Sequence, residues 1–240
     1  MTTTRILVAL ATYNEIENLP GLIDAILRVL PTADLLVVDD NSPDGSGRWC
    51  DERAASEPRL SCLHRAGKLG LGSATLAAIR YAVAHDYDVI VTMDADWSHD
   101  PAHLSALVAA TEQADVAIGS RYVEGGAIES WPQHRRLLSR AMNRLSRTML
   151  QLPIHDTSGA YRAYRVAKLR EINLDEIRAV GYAYLEEILW HLAQGDAIFA
   201  EVPITFHQRR AGRSKVSLRE AAGKLATLVR LAWRPDRRQR

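Results

Sequence analysis

Cysteine is scarce: Cys50 and Cys62 are the only two in 240 residues. Two thiols make no disulfide framework, and their scarcity suits a reducing compartment in which each serves as small buried filler. No stretch approaches the roughly 18 uninterrupted apolar residues that a membrane span requires. The apolar run near the N-terminus is too short for a secretory signal, and no small-residue cleavage site follows it. Internal repeats and low-complexity blocks are absent, and no convincing linker precedes residue 234. These absences exclude a disulfide scaffold, a spanning helix and a repeat array. The expectation is a cytoplasmic protein, or one peripheral on the cytosolic face of a membrane.

What is present points to one substantial core. The hydrophobic fraction of 47% and charged fraction of 25% are those of a soluble globular domain rather than a disordered chain. A chain of this length buries enough surface for a single large domain. The net charge of +1 conceals an uneven distribution. Residues 207–240 hold eleven Lys/Arg against two acids, and residues 130–152 hold five Arg and no acid, so the body of the chain is acidic. An acidic body with two basic segments predicts a metal or polar ligand in one place and an anionic surface or phosphate in another. Nucleic-acid binding is not expected, because the rest of the chain is acidic and no recognition module is present.

Along the chain, short apolar runs alternate with helical patterns. ILVALA (6–11), DLLVVDD (34–40), LSCLH (60–64), VIVTM (89–93) and DVAIGS (115–120) read as strands, with helices between them. Two further strands are expected at 160–164 and 198–206, a helix at 184–194, and a last amphipathic helix from about residue 218 to 233. Residues 132–152 read as a helix with Arg136, Arg140, Arg144 and Arg147 on one face and Leu138, Met142, Leu145 and Met149 on another. Strand–helix alternation with strands that do not alternate polar and apolar predicts an α/β fold: a mostly parallel sheet covered by helices on both faces. Ligands of such sheets bind beyond the carboxyl ends of the strands.

Those ends are acidic. The run VIVTMDADWSHDP (89–101) delivers Asp94 and Asp96, two residues apart and therefore on one side of an extended chain. Paired carboxylates favour a cation between them, and hard oxygen donors with Ser98 nearby suit Mg²⁺ or Mn²⁺ bound to a diphosphate. A D-x-D alone is a weak signal, but at the end of a buried strand beside Asp39 and Asp40 it becomes a metal-site expectation. AGKLGLGSA (66–74) is neither a Walker loop nor a dinucleotide fingerprint. Its glycines still admit a ligand close to the backbone, and Lys68 can reach an anion.

The segments TYNE (12–15), VVDDNSPDGS (37–46), GKLGLG (67–72), MDADWSHDP (93–101), GSRYVEGG (119–126), DTSGAYRAYR (156–165), GYAYLEE (181–187), EVPITF (201–206) and RRAGRSK (209–215) together resemble the dolichol-phosphate mannosyltransferases of glycosyltransferase family 2. The resemblance covers about residues 5–220. The D-x-D and VVDD segments are shared widely in that family, whereas DADWSHDP, GSRYVEGG and RRAGRSK are more specific to its polyprenyl-phosphate branch. It implies a GT-A fold and inverting, metal-dependent transfer of mannose from GDP-mannose to a polyprenyl phosphate. It implies that Thr12, Tyr13, Glu15, Asp39, Asp40 and Lys68 hold the nucleoside side of the donor, with Asp40 on the ribose or base. Asp94, Ala95 and Asp96 would meet the diphosphate, Asp94, Asp96 and Ser98 the cation, and Arg209, Ser214 and Lys215 a loop closing over the donor. Arg121, Arg135 and Arg140 would meet the acceptor phosphate, and Asp156 and Glu187 would lie near the sugar. The domain division it suggests is a catalytic domain over 1–215 and a basic membrane-interfacial helix and tail over 216–240.

Two departures from the family pattern stand out. Position 11 is Ala where the family has Pro, and the transmembrane helices that many members carry after the catalytic domain are not among these residues. Attachment is then expected from the chain itself or from a small membrane subunit. An acceptor phosphate is an anion near neutral pH, with a second pKa of about 6, so no strong general base is needed. That fits the lack of an obvious catalytic histidine, and His99 and His155 are read as surface or structural residues, with a minor helping role as the alternative. The competing readings are a UDP-glucose or other UDP-sugar enzyme on the same fold, a nucleotidyltransferase, and a binding protein on a degenerate scaffold. TYNEIEN after the first strand, where a nucleotidyltransferase has a glycine-rich basic loop, counts against the second. Intact Asp94, Asp96, Arg121 and Lys215 count against the third.

Overall fold

The computed structural model describes residues 4–179, 181–208 and 218–234. In chain order the elements are β1 (Ile6–Thr12), α1 (Leu19–Val29), β2 (Asp34–Asp39), α2 (Ser46–Ala54), β3 (Leu60–His64), α3 (Leu71–Ala84), β4 (Val89–Asp94), α4 (Leu104–Ala110), β5 (Val116–Ser120), β6 (Ala127–Ile128), α5 (Gln133–Leu150), β7 (Arg162–Arg165), α6 (Val166–Leu169), α7 (Tyr184–Gln194), β8 (Phe199–Pro203), β9 (Thr205–Phe206) and α8 (Leu218–Ala232). Seven strands form one sheet in the order β3-β2-β1-β4-β7-β5-β8, and β6 pairs with β9 in a small second sheet. All pairings in the large sheet are parallel except those of β7, which runs antiparallel to both β4 and β5.

The apolar strands are explained by burial on both faces. Leu7, Ala9, Leu36, Val38 and Ile90 point into one core with residues of α3 and α7. Val8, Leu10, Leu35, Val37 and Val91 point into the other with residues of α1 and α4. Successive residues of one strand thus serve opposite cores, which removes any polar alternation. The expected sheet, mostly parallel with helices on both faces, is the one observed.

Helix α5 departs from a soluble amphipathic pattern. It buries Asn143 and Ser146 while Leu137 and Leu138 are each 65% exposed and Leu145 is exposed as well. Helix α8 packs against α5 and α7, burying Leu228 and Leu231 but exposing Leu225, Val229 and Trp233. Among the described residues no helix is long and apolar enough to cross a membrane.

Candidate active site

Strands β2, β1 and β4 are neighbours, so their carboxyl ends form one continuous rim, with Thr12 in register with Asp39 and Ala11 with Asp94. Each strand leaves the sheet through a residue in the left-handed region: Asn14 (φ 60°), Asn41 (φ 58°) and Trp97 (φ 65°). Asn adopts this conformation readily, but a tryptophan there is strained, and such strain persists where surrounding structure imposes it.

At the β1–β2 end of the rim, the turn after β2 catches the backbone after β1. Ser42 Oγ accepts from the Asn14 amide (3.0 Å), Ser46 Oγ from the Glu15 amide (3.1 Å) and Asp44 from the Ile16 amide (3.0 Å). Asp44 also accepts from the Ser46 amide and hydroxyl; burial opposes its charge, but the Ser46, Ile16 and backbone hydrogen bonds outweigh burial and hold its pKa below the ordinary value. Asp39 is buried and accepts from the Ser42 amide and hydroxyl. Asp40 accepts from Arg65 Nη1 at 2.6 Å and from the Gly70 amide at 2.8 Å, so its carboxylate ties β3 and the glycine segment to the rim. Lys68 Nζ lies 3.8 Å from the Tyr13 ring centroid, which brings both predicted donor-side residues together.

Glycine is required where α2 meets this rim. A Cβ at Gly47 would stand 2.7 Å from Asp39 Oδ2 and 3.0 Å from His64 Cε1. Gly47→Ala should therefore push the Asp39 carboxylate out of place and weaken nucleotide binding at least tenfold, about 1.4 kcal/mol. Unchanged affinity in a calorimetric titration would separate Asp39 from the donor.

At the centre, the Asp94 amide donates to His99 Nδ1 (3.0 Å), which makes Nδ1 the acceptor of that imidazole. His99 is buried, stacked on Tyr161 with ring centroids 4.9 Å apart. Asp96 Oδ1 accepts from the Ser98 amide (3.0 Å), holding a tight turn in which Asp96, Ala95 and Ser98 are all buried. Ser98 Oγ is buried with no hydrogen-bond partner among the described residues. An orphaned hydroxyl beside two carboxylates suits a hard divalent cation or its ligand sphere. Mg²⁺ and Mn²⁺ sites commonly use only one or two carboxylates and take the rest from phosphates and water.

On the far side of the rim, Arg121 and Asp156 form a buried bidentate pair. Nε and Nη2 of Arg121 each approach Asp156 at 2.7 Å, its amide donates to the same carboxylate, and Nη2 also reaches Ser158 Oγ at 2.8 Å. Burial by itself favours loss of the arginine charge, but the Asp156 carboxylate more than offsets it and raises the Arg121 pKa above its ordinary value. Burial likewise opposes the Asp156 charge, and the Arg121 guanidinium outweighs it, holding the carboxyl below the usual range. Asn143 explains its own burial here: its Oδ1 accepts from Thr157 and from the Ser158 amide, and its Nδ2 donates to Ser158 Oγ. Helix α5 is thus fastened to the loop that holds Arg121.

Between α5 and the segment after β5 lies a cavity of about 690 Å³ lined by Arg121, Arg140, Arg144 and Arg147. The side chains of Arg140, Arg144 and Arg147 make no ion pair or hydrogen bond among the described residues. Arg135 lies instead over the Trp131 ring, 3.8 Å from its centroid. Glu187 is buried, accepting from the Arg178 and Ala179 amides and from Arg230. Arg209, Ser214 and Lys215 lie outside the described residues.

Sequence reasoning singled out neither Arg65, which clamps Asp40, nor Asn143 and Ser158, which hold Arg121. The missed signal was an asparagine inside a basic helix, at a position a soluble helix would give to leucine.

The fold and the acidic rim define a GT-A glycosyltransferase. The model of glycosyl transferase family 2 matches residues 7–172, and the chain belongs to that family. An undecaprenyl-phosphate mannosyltransferase of Micrococcus luteus is 45% identical over 213 residues, spanning 89% of this chain and 88% of that protein. A polyprenol monophosphomannose synthase of Mycolicibacterium smegmatis is 44% identical over 229 residues, spanning 93% and 86%. Among solved structures, the glucosyl-3-phosphoglycerate synthase of Mycobacterium tuberculosis, in complex with Mn²⁺ and UDP, shares the fold with a TM-score of 0.66 at 20% identity over 97% of this chain and 81% of that one. A mannosyltransferase of Pyrobaculum calidifontis in complex with GDP-Man and Mn²⁺ shares it with a TM-score of 0.58 at 18% identity, over 88% and 58%.

Proposed function

We propose that this enzyme transfers mannose from GDP-mannose to a polyprenyl phosphate, with inversion, while seated on the cytosolic face of a membrane. The observation that carries the reading is the arginine-lined cavity beside an acidic strand rim. It offers an anion three guanidinium groups that have no side-chain partner among the described residues, next to carboxylates suited to a cation and a diphosphate. The names of the two relatives near 45% identity support the same donor sugar and acceptor class.

A divalent cation, Mg²⁺ or Mn²⁺, would supply charge neutralisation for the departing diphosphate. The chain's own residues do the rest. Asp94, Asp96 and Ser98 would hold the cation, and Ala95 between them would lie against the diphosphate. Thr12, Tyr13, Glu15 and Lys68 would line the nucleoside pocket, whose shape Asp39 and Asp40 fix through Ser42, Arg65 and Gly70. Arg209 and Lys215 would close over the donor. Arg121 and Arg140, with Arg135 at the margin, would hold the acceptor phosphate against repulsion from the donor. The acceptor phosphate is its own nucleophile, so no basic side chain has to remove a proton.

The exposed apolar residues support the membrane seat. Leu137, Leu138 and Leu145 on α5, Leu225 and Val229 on α8 and Trp233 just after it are exposed on two helices that touch each other, with arginines alongside. Such a surface suits the headgroup layer of anionic lipid. Replacing Leu137 and Leu138 by Gln should reduce binding to anionic vesicles by about tenfold or more, at roughly 1 kcal/mol or more per leucine removed from burial. Equal sedimentation of both proteins with vesicles would refute this surface as the contact.

The deciding experiment is calorimetric titration with GDP-mannose, GDP, UDP-glucose and UDP, each with and without Mn²⁺, followed by transfer of labelled sugar to polyprenyl phosphate. Metal-dependent binding of the guanine ligands and label in the lipid phase are expected; preference for the uracil ligands would overturn the donor. Arg140→Gln should raise the acceptor KM by about 10- to 100-fold, the worth of one hydrogen bond to a charged group, and leave donor affinity unchanged. A change confined to the donor would place Arg140 on the wrong phosphate.

A further inference from the structure

One of the chain's two cysteines meets a histidine and an aspartate at one point of the fold. Cys62 and His64 stand two residues apart on β3, the edge strand, and so share one face of it. Helix α2 packs on that strand and contributes Asp51. One ligand atom each from Asp51, Cys62 and His64 lie within 4.8 Å of one another, the only such group of three among the described residues. His64 Nε2 and Asp51 Oδ1 are 2.9 Å apart, and Cys50, the residue before Asp51, belongs to the same helix. Cys50 is fully buried behind the cluster, whereas His64 and Asp51 are about half exposed, which leaves an open way in from solvent.

The geometry points to a second metal site, distinct from the rim, in which Asp51, Cys62 and His64 hold one Zn²⁺ or a similarly soft divalent ion. One sulfur, one imidazole and one carboxylate, with solvent water in the fourth position, are a tetrahedral zinc donor set. In a regular tetrahedron with metal–ligand bonds of about 2.0–2.3 Å the donors stand roughly 3.3–3.8 Å apart, so the group needs to contract by about an ångström, within reach of side-chain rotation. Thiolates select zinc over the Mg²⁺ and Mn²⁺ that suit the oxygen-only rim, so the two sites would sort their ions by chemistry. Binding releases the Cys62 thiol proton to solvent. The site would also brace the rim from behind: it rivets α2 to β3, His64 Nδ1 lies 4.0 Å from Asp39 Oδ2, and the next residue, Arg65, clamps Asp40.

The test uses the full chain, reduced and stripped of metal. Titration with Zn²⁺ should give one equivalent bound with sub-micromolar affinity, and titration with Co²⁺ should give a near-ultraviolet sulfur-to-cobalt charge-transfer band. Cys62→Ser and His64→Gln should each weaken Zn²⁺ binding at least tenfold, while Asp94→Asn leaves it unchanged. The absence of a cobalt–thiolate band in the unaltered protein overturns the site without reliance on any variant. Equal Zn²⁺ affinity in Cys62→Ser overturns it as well. Loss of the zinc equivalent in Asp94→Asn would assign the ion to the rim instead.

Discussion

Asp94→Asn and Asp96→Asn are each expected to lower kcat by about three orders of magnitude, or about 4 kcal/mol, the scale on which preorganised charge at a transition state acts. Asparagine keeps the shape and leaves Asp96's oxygen able to accept from the Ser98 amide, so the change removes charge and little else. Two carboxylates crowded at one strand end repel each other in the metal-free protein, so removing one charge costs the fold little. Melting in the presence of a chelator should accordingly stay within a few degrees, since about 1 kcal/mol moves Tm by only 2–4 °C in a protein of this size. The rise in Tm that Mn²⁺ and GDP give together should vanish. Full activity in either variant would refute the metal assignment, and a large drop in metal-free stability would mean the two acids are structural.

Arg121→Ala is expected to be the most destabilising single change in the molecule. It strands Asp156, fully buried, without its cation, and breaking a buried pair from one side costs about 3–5 kcal/mol. The pH dependence should change sign with it. In the intact protein the Asp156 pKa is depressed on folding, so its contribution is complete above the unfolded value near 3.8 and is lost as pH falls through the lower folded value. Without Arg121, burial raises that pKa instead, so the variant should gain stability on acidification from neutral pH relative to the intact protein, in which the contribution of Asp156 is constant there. Replacing both partners by apolar residues, Arg121→Met with Asp156→Leu, should recover much of the stability and none of the transfer. If chemical denaturation shows the single variant as stable as the parent, the pair is not the strut described. If the double variant transfers sugar, Arg121 serves the fold alone.

Much of this protein was legible from local pattern. A strand buried on both faces must be apolar throughout, so runs such as ILVALA and VIVTM announce both the strand and its place inside a covered sheet. Parallel strands put their carboxyl ends on one side, so the acids that follow β1, β2 and β4 had to share a rim. The spacing of Asp94 and Asp96 likewise followed from the two-residue period of an extended chain.

Other features depended on residues far apart in sequence, and only the tertiary structure decided them. Nothing near GSRY indicates that Arg121 meets Asp156, 35 positions on, or that a helix asparagine fastens the loop between them. The acids of VVDD gave no sign that Asp39 would hold Ser42 while Asp40 held Arg65 and Gly70. Helix α5 shows the physical reason. Its arginine and leucine periodicities were plain, but burial depends on what packs against a face, and here a polar loop packs inside and leaves Leu137 and Leu138 outside. Cys62 makes the same point: alone it reads as filler, and α2 lying across β3 brings it together with Asp51 and His64. Sequence period determines which residues share a face, and the chain's route through space determines what that face meets.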